Sequence, residues 1–423
     1  MIKVKGGNLL SGKVKISGSK NAALPLIAAS LLINGKVTLH NVPKIGDVLT
    51  LLDILRDIGV DYKFEGNTLF LDNSNLEPKL FDYSKIKKIR ASILLLGPLL
   101  YRFKKISIPF PGGCIIGKRP IDSHLDGLHA LGYNVSFVDN HIDISGTLDA
   151  GDKIINAGFG VTATENLIVA NIFRTGHTTI KMSALEPHVL NLVDFLNAAG
   201  ADIVINHTHH IHINGVEKLE NIVEFDVIAD YIESGTFMVI GALAAKDYID
   251  IEDARIEDLY SFIEKLREAG IKIEDLGNDV ARVYRADKIK AIELQTNIFP
   301  GFPTDLQSPF AILLSQAEGI SKIHEVLFEG RLNFLVELDK LGGHTAILNP
   351  HQALIFGKTE LKARNTTVTS WDLRAGAAMI IAGLIAEGET FITNVEYIER
   401  GYENFVPKLK TLGADLEFIK EQQ

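Results

Sequence analysis

The stretch LLDILRDIGVDYKFEGNTLFL, residues 51–71, contains the pattern that decides the fold. Apolar residues at i, i+3, i+4 and i+7 in its first half predict an amphipathic helix with one buried face. Gly59 then stands where the end of a helix requires a left-handed backbone conformation. Alternating apolar residues on both sides of the turn EGN predict a two-stranded hairpin.

This pattern occurs six times in the chain. It returns in residues 125–144, 192–213, 262–283, 334–356 and 405–419. The six corresponding glycines are Gly59, Gly132, Gly200, Gly270, Gly342 and Gly413. Neighbouring glycines in this series are 68 to 73 residues apart, so the chain consists of six repeats of about 70 residues.

Each repeat also contains a second predicted helix, which is apolar nearly all round. These helices lie in residues 21–33, 90–103, 162–173, 233–245, 307–318 and 372–387. A helix without a polar face is a buried helix, and a short strand follows each of them. One repeat therefore reads as a buried helix, a strand, an amphipathic helix and a hairpin.

Six repeats of this kind divide into two domains of three. The first predicted domain covers residues 20–229 and includes the loop that contains Cys114. The second is discontinuous and combines residues 1–19 with residues 230–423, because the N-terminal strand pair is expected to complete the last repeat. In each domain we expect the apolar helices inside and the sheets and amphipathic helices outside.

The composition is that of a globular protein, with 46% hydrophobic and 23% charged residues among 423. A single cysteine excludes an intramolecular disulfide and a multi-cysteine metal site. The net charge of −10 argues against a non-specific nucleic-acid binder. No apolar run reaches the roughly 18 residues of a membrane span, and the N-terminus lacks the apolar core of a signal peptide, so we expect a cytoplasmic protein. A homo-oligomer is compatible with the sequence.

Charged residues stand at the predicted starts of the apolar helices, among them Lys20, Arg90, Asp305 and Arg374. If the three helices of a domain are parallel, their positive dipole ends share one face, which favours anions. Two such faces, one per domain, would meet across a cleft and bind one anion through Lys20, Arg90 and Arg374. For each residue alone the alternative is a helix cap or a surface ion pair, and capping explains Asp305 about equally well.

The loop PFPGGCIIGKRPID, residues 109–122, contains the only cysteine, Cys114. Its prolines and glycines predict an irregular segment. The positive charges of Lys118 and Arg119 would favour a reactive thiolate if they approach the sulfur. The alternative is a small hydrophobic residue in a surface loop, and the loop pattern by itself favours function only slightly.

Four histidines alternate on a predicted hairpin, namely His207, His209, His210 and His212. A metal site is conceivable there. A solvated strand edge is the favoured interpretation, because no acidic or cysteine partner is nearby in the sequence.

Seven motifs in order carry a resemblance to a known family. They are SGSKNAALP (17–25), NVPKIGDV (41–48), IRASILLLGPL (89–99), PGGCIIGKRPID (111–122), FPTDLQ (302–307), DLRA (372–375) and ERGYE (399–403). Over the whole chain they resemble the UDP-N-acetylglucosamine enolpyruvyl transferases, or 1-carboxyvinyltransferases. The enolpyruvyl transferases of the shikimate pathway share the six-repeat fold but as a rule lack this cysteine loop.

The resemblance implies a two-domain inside-out α/β barrel built from six βαβαββ-type repeats. It also implies transfer of the enolpyruvyl group of phosphoenolpyruvate to the 3-hydroxyl of UDP-N-acetylglucosamine, with release of phosphate. This is the first committed step of peptidoglycan synthesis, and the family is the target of fosfomycin. The chemistry requires neither a cofactor nor a metal, so the expected partners are two small molecules.

The resemblance assigns roles position by position. Cys114 is implied as general acid or transient covalent site, Asp305 as the base near the sugar hydroxyl, and Lys20 as a further catalytic group. The implied phosphoenolpyruvate ligands are Lys20, Asn21, Arg119, Arg374 and Arg400. The implied UDP-sugar ligands are Arg90, Arg119, Pro120, Ile121, Asp122, Ser123, Gly160, Val161, Thr162, Asp305 and Leu327, with Arg331 and Asp372 in support.

Four changes depart from the family pattern on or near the sugar-nucleotide side or the expected domain closure. Thr162 replaces the small glycine of the family's nucleotide loop, Gly46 stands where a lysine is common, and Tyr231 stands where an arginine is common. The segment FEGRLNFLVEL, residues 328–338, has also lost the family's usual Asn, Met and His. We expect the larger Thr162 side chain to crowd the nucleotide. Another nucleotide or nucleotide sugar as acceptor, or a catalytically silent paralogue that binds ligand, are the alternatives.

Overall fold

The computed structural model describes residues 1–78, 83–112, 116–206 and 208–420. Contact clustering divides these residues into two compact units. We call one the terminal unit (1–17, 116–118 and 229–420) and the other the central unit (18–78, 83–112, 119–206 and 208–228). Each unit has its own hydrophobic core.

The helices follow the predicted alternation of buried and amphipathic segments. They are α1 (Lys20–Ala29), α2 (Gly46–Asp57), α3 (Tyr83–Ile86), α4 (Leu96–Phe103), α5 (Asp122–Ala130), α6 (Val161–Asn171), α7 (Pro187–Ala198), α8 (Tyr231–Ala244), α9 (Tyr260–Glu268), α10 (Gln307–Ser315), α11 (Leu335–Lys340), α12 (Leu373–Ile385), α13 (Glu396–Glu399) and α14 (Phe405–Thr411). Short 3₁₀ helices occupy Ser30–Leu32, Arg90–Leu95, Ile256–Leu259 and Thr304–Leu306.

The strands of the first half are β1 (Ile2–Lys5), β2 (Leu10–Lys15), β3 (Lys36–His40), β4 (Asp61–Glu65), β5 (Thr68–Asp72), β6 (Lys105–Pro109), β7 (Asn134–Val138), β8 (His141–Ser145), β9 (Lys153–Asn156), β10 (His177–Lys181), β11 (Asp202–Asn206), β12 (His210–Asn214) and β13 (Ile222–Asp226). Those of the second half are β14 (Ala245–Glu252), β15 (Ile273–Asp275), β16 (Val280–Tyr284), β17 (Ile289–Lys290), β18 (Glu293–Gln295), β19 (Ala317–His324), β20 (Thr345–Asn349), β21 (Gln352–Gly357), β22 (Lys362–Thr369), β23 (Glu387–Thr393) and β24 (Asp415–Phe418).

Within the described residues these strands form six sheets, three in each unit. The sheets of the terminal unit have the orders β22-β23-β1-β24, β15-β16-β14-β2 and β17-β19-β21-β20, with β18 also paired to β19. Those of the central unit have the orders β13-β3-β5-β4, β11-β12-β10-β9 and β6-β8-β7. The predicted repeat architecture is confirmed: five sheets combine a hairpin with the strand that follows a buried helix, and in the sixth β1 and β24, from the two ends of the chain, take the place of the hairpin.

The six repeat glycines all have positive φ angles, between +87° and +106°. Each stands two residues beyond the last residue of an amphipathic helix, as with Gly59 after α2 and Gly200 after α7. A side chain is strained in this conformation, and the glycine lets the chain leave the helix and enter the hairpin. The sequence prediction for these positions is confirmed.

The N-terminal strand pair is divided between two sheets, which corrects one expectation. β1 completes the last repeat as predicted, since it pairs antiparallel with both β23 and β24. β2 instead pairs in parallel with β14 of the fourth repeat. Reciprocally, β13 leads into the fourth repeat but pairs in parallel with β3 of the first.

Each unit contains buried helices that pack together. In the terminal unit α8, α10 and α12 each contact the other two. In the central unit the segment of residues 90–103 contacts both α1 and α6. That segment is not one regular helix as predicted, because a 3₁₀ helix passes into α4 at Leu96. Pro98 has no N–H to donate to the carbonyl of Leu94, which weakens the α-helical ladder at this point.

The segment 116–118 belongs by its contacts to the terminal unit. The Gly330 N–H donates to the carbonyl of Ile116 at 2.9 Å, and the Lys118 N–H donates to Glu329 Oε1 at 2.9 Å. The predicted domain of residues 20–229 includes the whole cysteine loop, and the contacts of residues 116–118 depart from that prediction. These residues bind partners more than 200 positions away, and such contacts leave no local sequence pattern. Among the described helices none is both long and apolar enough to cross a membrane.

Gly59 and Gly200 offer a matched test of the repeat glycines. Their φ angles are +101° and +99°, but an added Cβ would lie 2.3 Å from the Asn75 carbonyl oxygen at Gly59 and has open space at Gly200. We expect Gly200→Ala to lower the free energy of unfolding by about 1 kcal/mol through backbone strain alone. Gly59→Ala should cost at least about 1 kcal/mol more, because a steric clash is added. Denaturant unfolding measures both, and equal losses would contradict this account.

Candidate active site

The starts of α10 and α12, two buried helices of the terminal unit, meet at one carboxylate. Asp305 lies in the 3₁₀ turn that leads into α10, and it contacts two arginines. Arg331 Nη1 donates to Asp305 Oδ1 at 2.7 Å. Arg374, in the first turn of α12, donates from Nε and Nη2 to Asp305 Oδ2 at 3.3 and 3.2 Å. Each carboxylate oxygen therefore faces a different guanidinium group.

Both arginines are buried, with side chains 5% and 2% exposed, whereas that of Asp305 is 27% exposed. Burial by itself lowers the pKa of Arg331, but the charges of Asp305 and Asp372 outweigh it, and the net shift is upward. The pKa of Arg374 is likewise raised, because Tyr402 and Asp305 together outweigh its burial. Both guanidinium groups are therefore charged. Among the described residues, no hydrogen-bond acceptor reaches the buried Nη1 of Arg374.

Asp372 and Asp230 hold the helix starts in place. Asp372 is the N-cap of α12 and accepts from the N–H groups of Arg374 and Ala375 at 2.7 and 3.0 Å. Asp230 caps α8 in the same way, accepting from Ile232 at 2.9 Å. An N-cap satisfies backbone donors that the helix itself leaves unpaired. The structure thus gives Asp372, predicted as a supporting residue, a concrete role in orienting Arg374.

Two buried residues of this cluster were missed by the sequence analysis. Glu325 accepts from the Thr304 hydroxyl at 2.7 Å, from the Thr296 hydroxyl at 3.0 Å and from the Leu327 N–H at 2.9 Å. It thereby ties the residue before Asp305 to the predicted ligand Leu327. Tyr402 lies beneath Arg374, with its ring 5.0 Å from the guanidinium carbon. Tyr402 belongs to the ERGYE motif, so that motif could have suggested it.

Two further predicted residues are Arg400, a phosphoenolpyruvate ligand, and Cys114, the general acid or transient covalent site. Arg400 caps the C-terminal end of α13 and lies over the Tyr397 ring at 5.9 Å. It is half-buried and is near Tyr402 in the chain. Cys114 lies outside the described residues.

A second cluster lies in the central unit and brings together several predicted sugar-nucleotide ligands. Arg90 opens the 3₁₀ helix and donates through Nη2 to the carbonyl oxygen of Arg119, and at 3.5 Å to that of Pro120. Burial and the nearby charge of Arg119 lower the pKa of Arg90 to about 10. Arg90 therefore remains a cation at neutral pH and can bind an anion through charge-assisted hydrogen bonds.

The loops 119–123 and 158–162 lie against each other. A Cβ added at Gly158 would lie 3.0 Å from Ser123 Oγ, so this glycine permits the close approach. Asp122 is the first residue of α5, after Ile121 at the N-cap position, and Val161 is the first residue of α6, after Gly160. Gly160 supplies no side-chain cap, which leaves the first N–H groups of α6 available to an acceptor.

Lys20 and Asn21 begin α1 behind the N-cap residue Ser19. Lys20 Nζ lies 3.4 Å from Asp47 Oδ2, and both side chains are about nine-tenths buried. Asp47 was missed by the sequence analysis, although it follows Gly46 in a recognised motif. Gly46 is the first residue of α2, and Tyr231 is the buried first residue of α8.

The predicted histidine hairpin forms strands β11 and β12, and His207 lies outside the described residues. His212 Nδ1 lies 3.2 Å from Thr179 Oγ1 and 3.3 Å from His177 Nε2 on the neighbouring strand β10. Burial and the neighbouring histidines lower the pKa of His212. In the described part of the chain no group of three His, Cys, Asp or Glu side chains is placed to hold a metal ion.

Comparison with known proteins places this geometry in a family. The family model of EPSP synthase (3-phosphoshikimate 1-carboxyvinyltransferase) matches residues 4–409. The solved structure of the enolpyruvyl transferase NikO from Streptomyces tendae superposes with a TM-score of 0.90 at 26% identity, covering 98% of both chains. EPSP synthase from Acinetobacter baumannii shares the fold with a TM-score of 0.73 at 18% identity, covering 98% of this chain and 99% of that one. The chain therefore belongs to the EPSP synthase family of carboxyvinyl, or enolpyruvyl, transferases.

Within this family the chain is similar to proteins named UDP-N-acetylglucosamine 1-carboxyvinyltransferase. The protein of that name from Desulfosudis oleivorans is 41% identical over 98% of each chain. That from Halothermothrix orenii is 40% identical over 99% of each chain. The resemblance drawn from the seven motifs and the predicted α/β fold are confirmed by these matches.

Asp305 and Asp250 provide a matched test of the buried charge cluster. Both lie in the terminal unit and bind arginine, but Asp250 binds one arginine, at 2.7 and 2.9 Å, on a neighbouring strand. The Arg282 side chain is 26% exposed, far more than Arg331 or Arg374. We expect Asp305→Asn to lower the free energy of unfolding by about 3 kcal/mol, because two buried guanidinium groups lose their counter-charge. Asp250→Asn should cost less than about 1 kcal/mol. If denaturant unfolding gave similar losses in the free energy of unfolding for both variants, Asp305 would not be needed to neutralise Arg331 and Arg374.

Proposed function

We propose that this protein transfers the enolpyruvyl group of phosphoenolpyruvate to the 3-hydroxyl of UDP-N-acetylglucosamine and releases phosphate. Membership of the family supports the reaction class, and relatives about 40% identical over nearly the whole chain support the acceptor. The observation that carries the proposal is the buried Arg374, whose Nη1 has no acceptor among the described residues. A buried guanidinium N–H without a partner is costly, and an anionic substrate would satisfy it.

The residue types fit a substrate with a carboxylate and a phosphate. Phosphoenolpyruvate would bind to Lys20, Asn21, Arg119, Arg374 and Arg400. Arginines bind both kinds of anion through paired, charge-assisted hydrogen bonds, which is why several are needed. The UDP-sugar would bind to Arg90, to residues 119–123 and 160–162, and to Leu327. We further propose that the terminal and central units correspond to the two predicted domains.

The reaction requires two groups in opposite protonation states. The methylene carbon of phosphoenolpyruvate gains a proton, which Cys114 would supply, and the sugar hydroxyl loses one, which Asp305 would accept. Each carboxylate oxygen of Asp305 accepts from an arginine in this structure. A substrate anion that binds Arg374 would compete for that guanidinium group and would leave Asp305 Oδ2 able to accept the proton of the sugar hydroxyl.

The physiological role follows from the products. An enolpyruvyl ether of UDP-N-acetylglucosamine is a precursor of peptidoglycan, so the protein would act in cell-wall synthesis, in the cytoplasm where its two substrates are made. A different nucleotide sugar as acceptor is the second candidate, and Thr162, Gly46 and Tyr231 favour it because they depart from the family pattern.

A phosphate-release assay with phosphoenolpyruvate and a panel of UDP-sugars tests the proposed function. We expect release with UDP-N-acetylglucosamine and little with UDP-glucose or UDP-galactose. Release with another acceptor alone would overturn the assignment of UDP-N-acetylglucosamine. No release with any acceptor would indicate a silent paralogue.

The single cysteine allows a sharp test of the acid. We expect Cys114→Ser to lower kcat by about 10²-fold or more, because a hydroxyl is a much weaker acid than a thiol. Fosfomycin, an epoxide that mimics phosphoenolpyruvate, should add one label per chain to the wild type and none to the variant, since no other thiol is present. Unchanged turnover in the variant would contradict a catalytic Cys114, and labelling of the variant would place the reaction elsewhere.

A further inference from the structure

A chain of hydrogen bonds in the central unit connects the helix break at Pro98 to Thr162. In a regular α-helix the Gly97 N–H would donate to the Ile93 carbonyl. Here the side chain of Asn166, from α6, takes the place of that bond. Its Oδ1 accepts from the Gly97 N–H at 3.0 Å, and its Nδ2 donates to the Ile93 carbonyl oxygen at 2.7 Å.

These two backbone contacts fix the orientation of the Asn166 amide. A flipped amide would set its NH₂ against the Gly97 N–H and its oxygen against the Ile93 carbonyl oxygen, and both contacts would be repulsive. The Asn166 Nδ2 also lies 2.9 Å from His124 Nδ1. Because the amide nitrogen can only donate, His124 Nδ1 must be the unprotonated acceptor.

His124 is therefore neutral and carries its proton on Nε2. Its side chain is buried, and that burial together with the charge of Arg90 lowers the pKa of His124 to about 3, which agrees with the neutral form. The Nε2 lies 3.1 Å from Thr162 Oγ1. Since Nε2–H is the donor in this contact, the Thr162 oxygen accepts, and the hydroxyl proton of Thr162 is available to another acceptor.

The surroundings of Thr162 indicate the charge of that acceptor. Thr162 is half-buried in the first turn of α6, whose N-cap residue Gly160 has no side chain to pair with the first N–H groups. The charge of Arg90 acts on His124, which contacts Thr162, and Arg90 Nη2 donates to the carbonyl oxygen of Arg119. A hydroxyl donor, a helix start and a nearby cation all favour an anionic oxygen.

We infer that Asn166 and His124 hold the Thr162 hydroxyl as a directed donor to a phosphate oxygen of the nucleotide-sugar acceptor. This inference rests on the proposed function, in which residues 160–162 bind the UDP-sugar. Thr162 then supplies a new hydrogen bond at a position where the family has glycine. The side chain selects the ligand rather than obstructing it, contrary to the crowding expected from the sequence. His124 and Asn166 are positioning residues that act through Thr162.

Variants of Thr162 separate the donor from the bulk of the side chain. Thr162→Val keeps the shape and removes the hydroxyl, and we expect the Kd for UDP-N-acetylglucosamine to rise about tenfold or more. Thr162→Ser, the matched control, should stay within about threefold of the wild type. Thr162→Gly should also weaken binding. The KM for phosphoenolpyruvate should change little in all three.

Two results of these titrations would overturn the inference. Equal Kd values for the wild type and Thr162→Val would show that the hydroxyl makes no contact with the ligand. Tighter binding by Thr162→Gly would show that the side chain crowds the nucleotide. Thermal unfolding of each variant, measured alongside, identifies any loss of binding that comes from a damaged fold.

His124 is tested by a double-mutant cycle and by nitrogen NMR. His124→Leu should weaken UDP-N-acetylglucosamine binding in the wild-type background but have little further effect in Thr162→Val, because it acts through that hydroxyl. His124→Gln, which keeps a donor near the Nε2 position, should restore part of the affinity. In the ligand-free wild type the His124 imidazole should be the neutral Nε2–H tautomer at pH 7. The Nδ1–H tautomer or a charged ring would overturn the relay.

The wild-type assays separate this inference from the proposed function. If the wild type binds and uses UDP-N-acetylglucosamine but Thr162→Val is unaffected, the inference fails and the proposed function stands. If the wild type neither binds nor uses any UDP-sugar, the proposed function fails and the binding role of Thr162 fails with it. Nitrogen NMR of the ligand-free protein still tests whether His124 and Asn166 orient the Thr162 hydroxyl, because it identifies the imidazole tautomer without any ligand.

Discussion

One carboxylate balances two buried guanidinium groups in the terminal unit, and the arrangement of that unit depends on this balance. Charge is expensive inside an apolar helix cluster, and Arg331 and Arg374 are tolerated there because Asp305 faces both. The capped starts of α8 and α12 and the hydrogen bonds to Glu325 fix the surrounding backbone. The fold therefore keeps two cations in a dry environment, where their attraction for an anion is strongest.

The central unit handles its positive charge differently. Arg90 donates to the backbone carbonyls of Arg119 and Pro120, so these contacts to Arg90 are made by dipoles. Carbonyl dipoles orient a guanidinium group without neutralising it, which leaves its charge available to a ligand. The arginines of the two units therefore differ in their partners. Those at Asp305 face a carboxylate, whereas these contacts of Arg90 are to backbone carbonyl oxygens. Under the proposed function, an anion at Arg374 would have to compete with Asp305, and an anion at Arg90 would not compete with a carboxylate in these contacts.

The repeats could be predicted because each one encodes its own local structure. A helix period, a glycine at its end and a strand period follow one another within about 20 residues, and the glycine conformation is required at all six copies. The exchange of β2 and β13 between repeats could not be predicted. Both are short strands that precede a buried helix, so the local pattern is the same for either partner, and only tertiary packing decides which parallel neighbour each one takes.

The positions of Arg90 and Arg374 could be predicted, because charged residues at the starts of apolar helices stand out in the sequence. The residues that orient them were missed, because a lone Glu325 or Asn166 in an apolar stretch looks like an ordinary buried polar residue. Nothing in the sequence shows that Asn166 meets a helix break 69 residues earlier in the chain. Its partner is a backbone irregularity that exists only after folding.

The helix break at Pro98 affects more than the packing of the buried helices. Pro98 lacks the N–H that would pair with the Leu94 carbonyl, and here the chain passes from a 3₁₀ helix into α4. The Ile93 carbonyl oxygen accepts from the Leu96 N–H and also from the Asn166 amide, which itself accepts from the Gly97 N–H. Because backbone groups cannot exchange donor for acceptor, that amide has one allowed orientation. His124 Nδ1 accepts from this amide, so the imidazole proton is on Nε2, which donates to the Thr162 hydroxyl oxygen. The helix break at Pro98 thereby determines the direction of the hydrogen bond between His124 and Thr162 at the start of α6. Without the break, Asn166 would have no fixed orientation, and the Thr162 hydroxyl could either donate or accept.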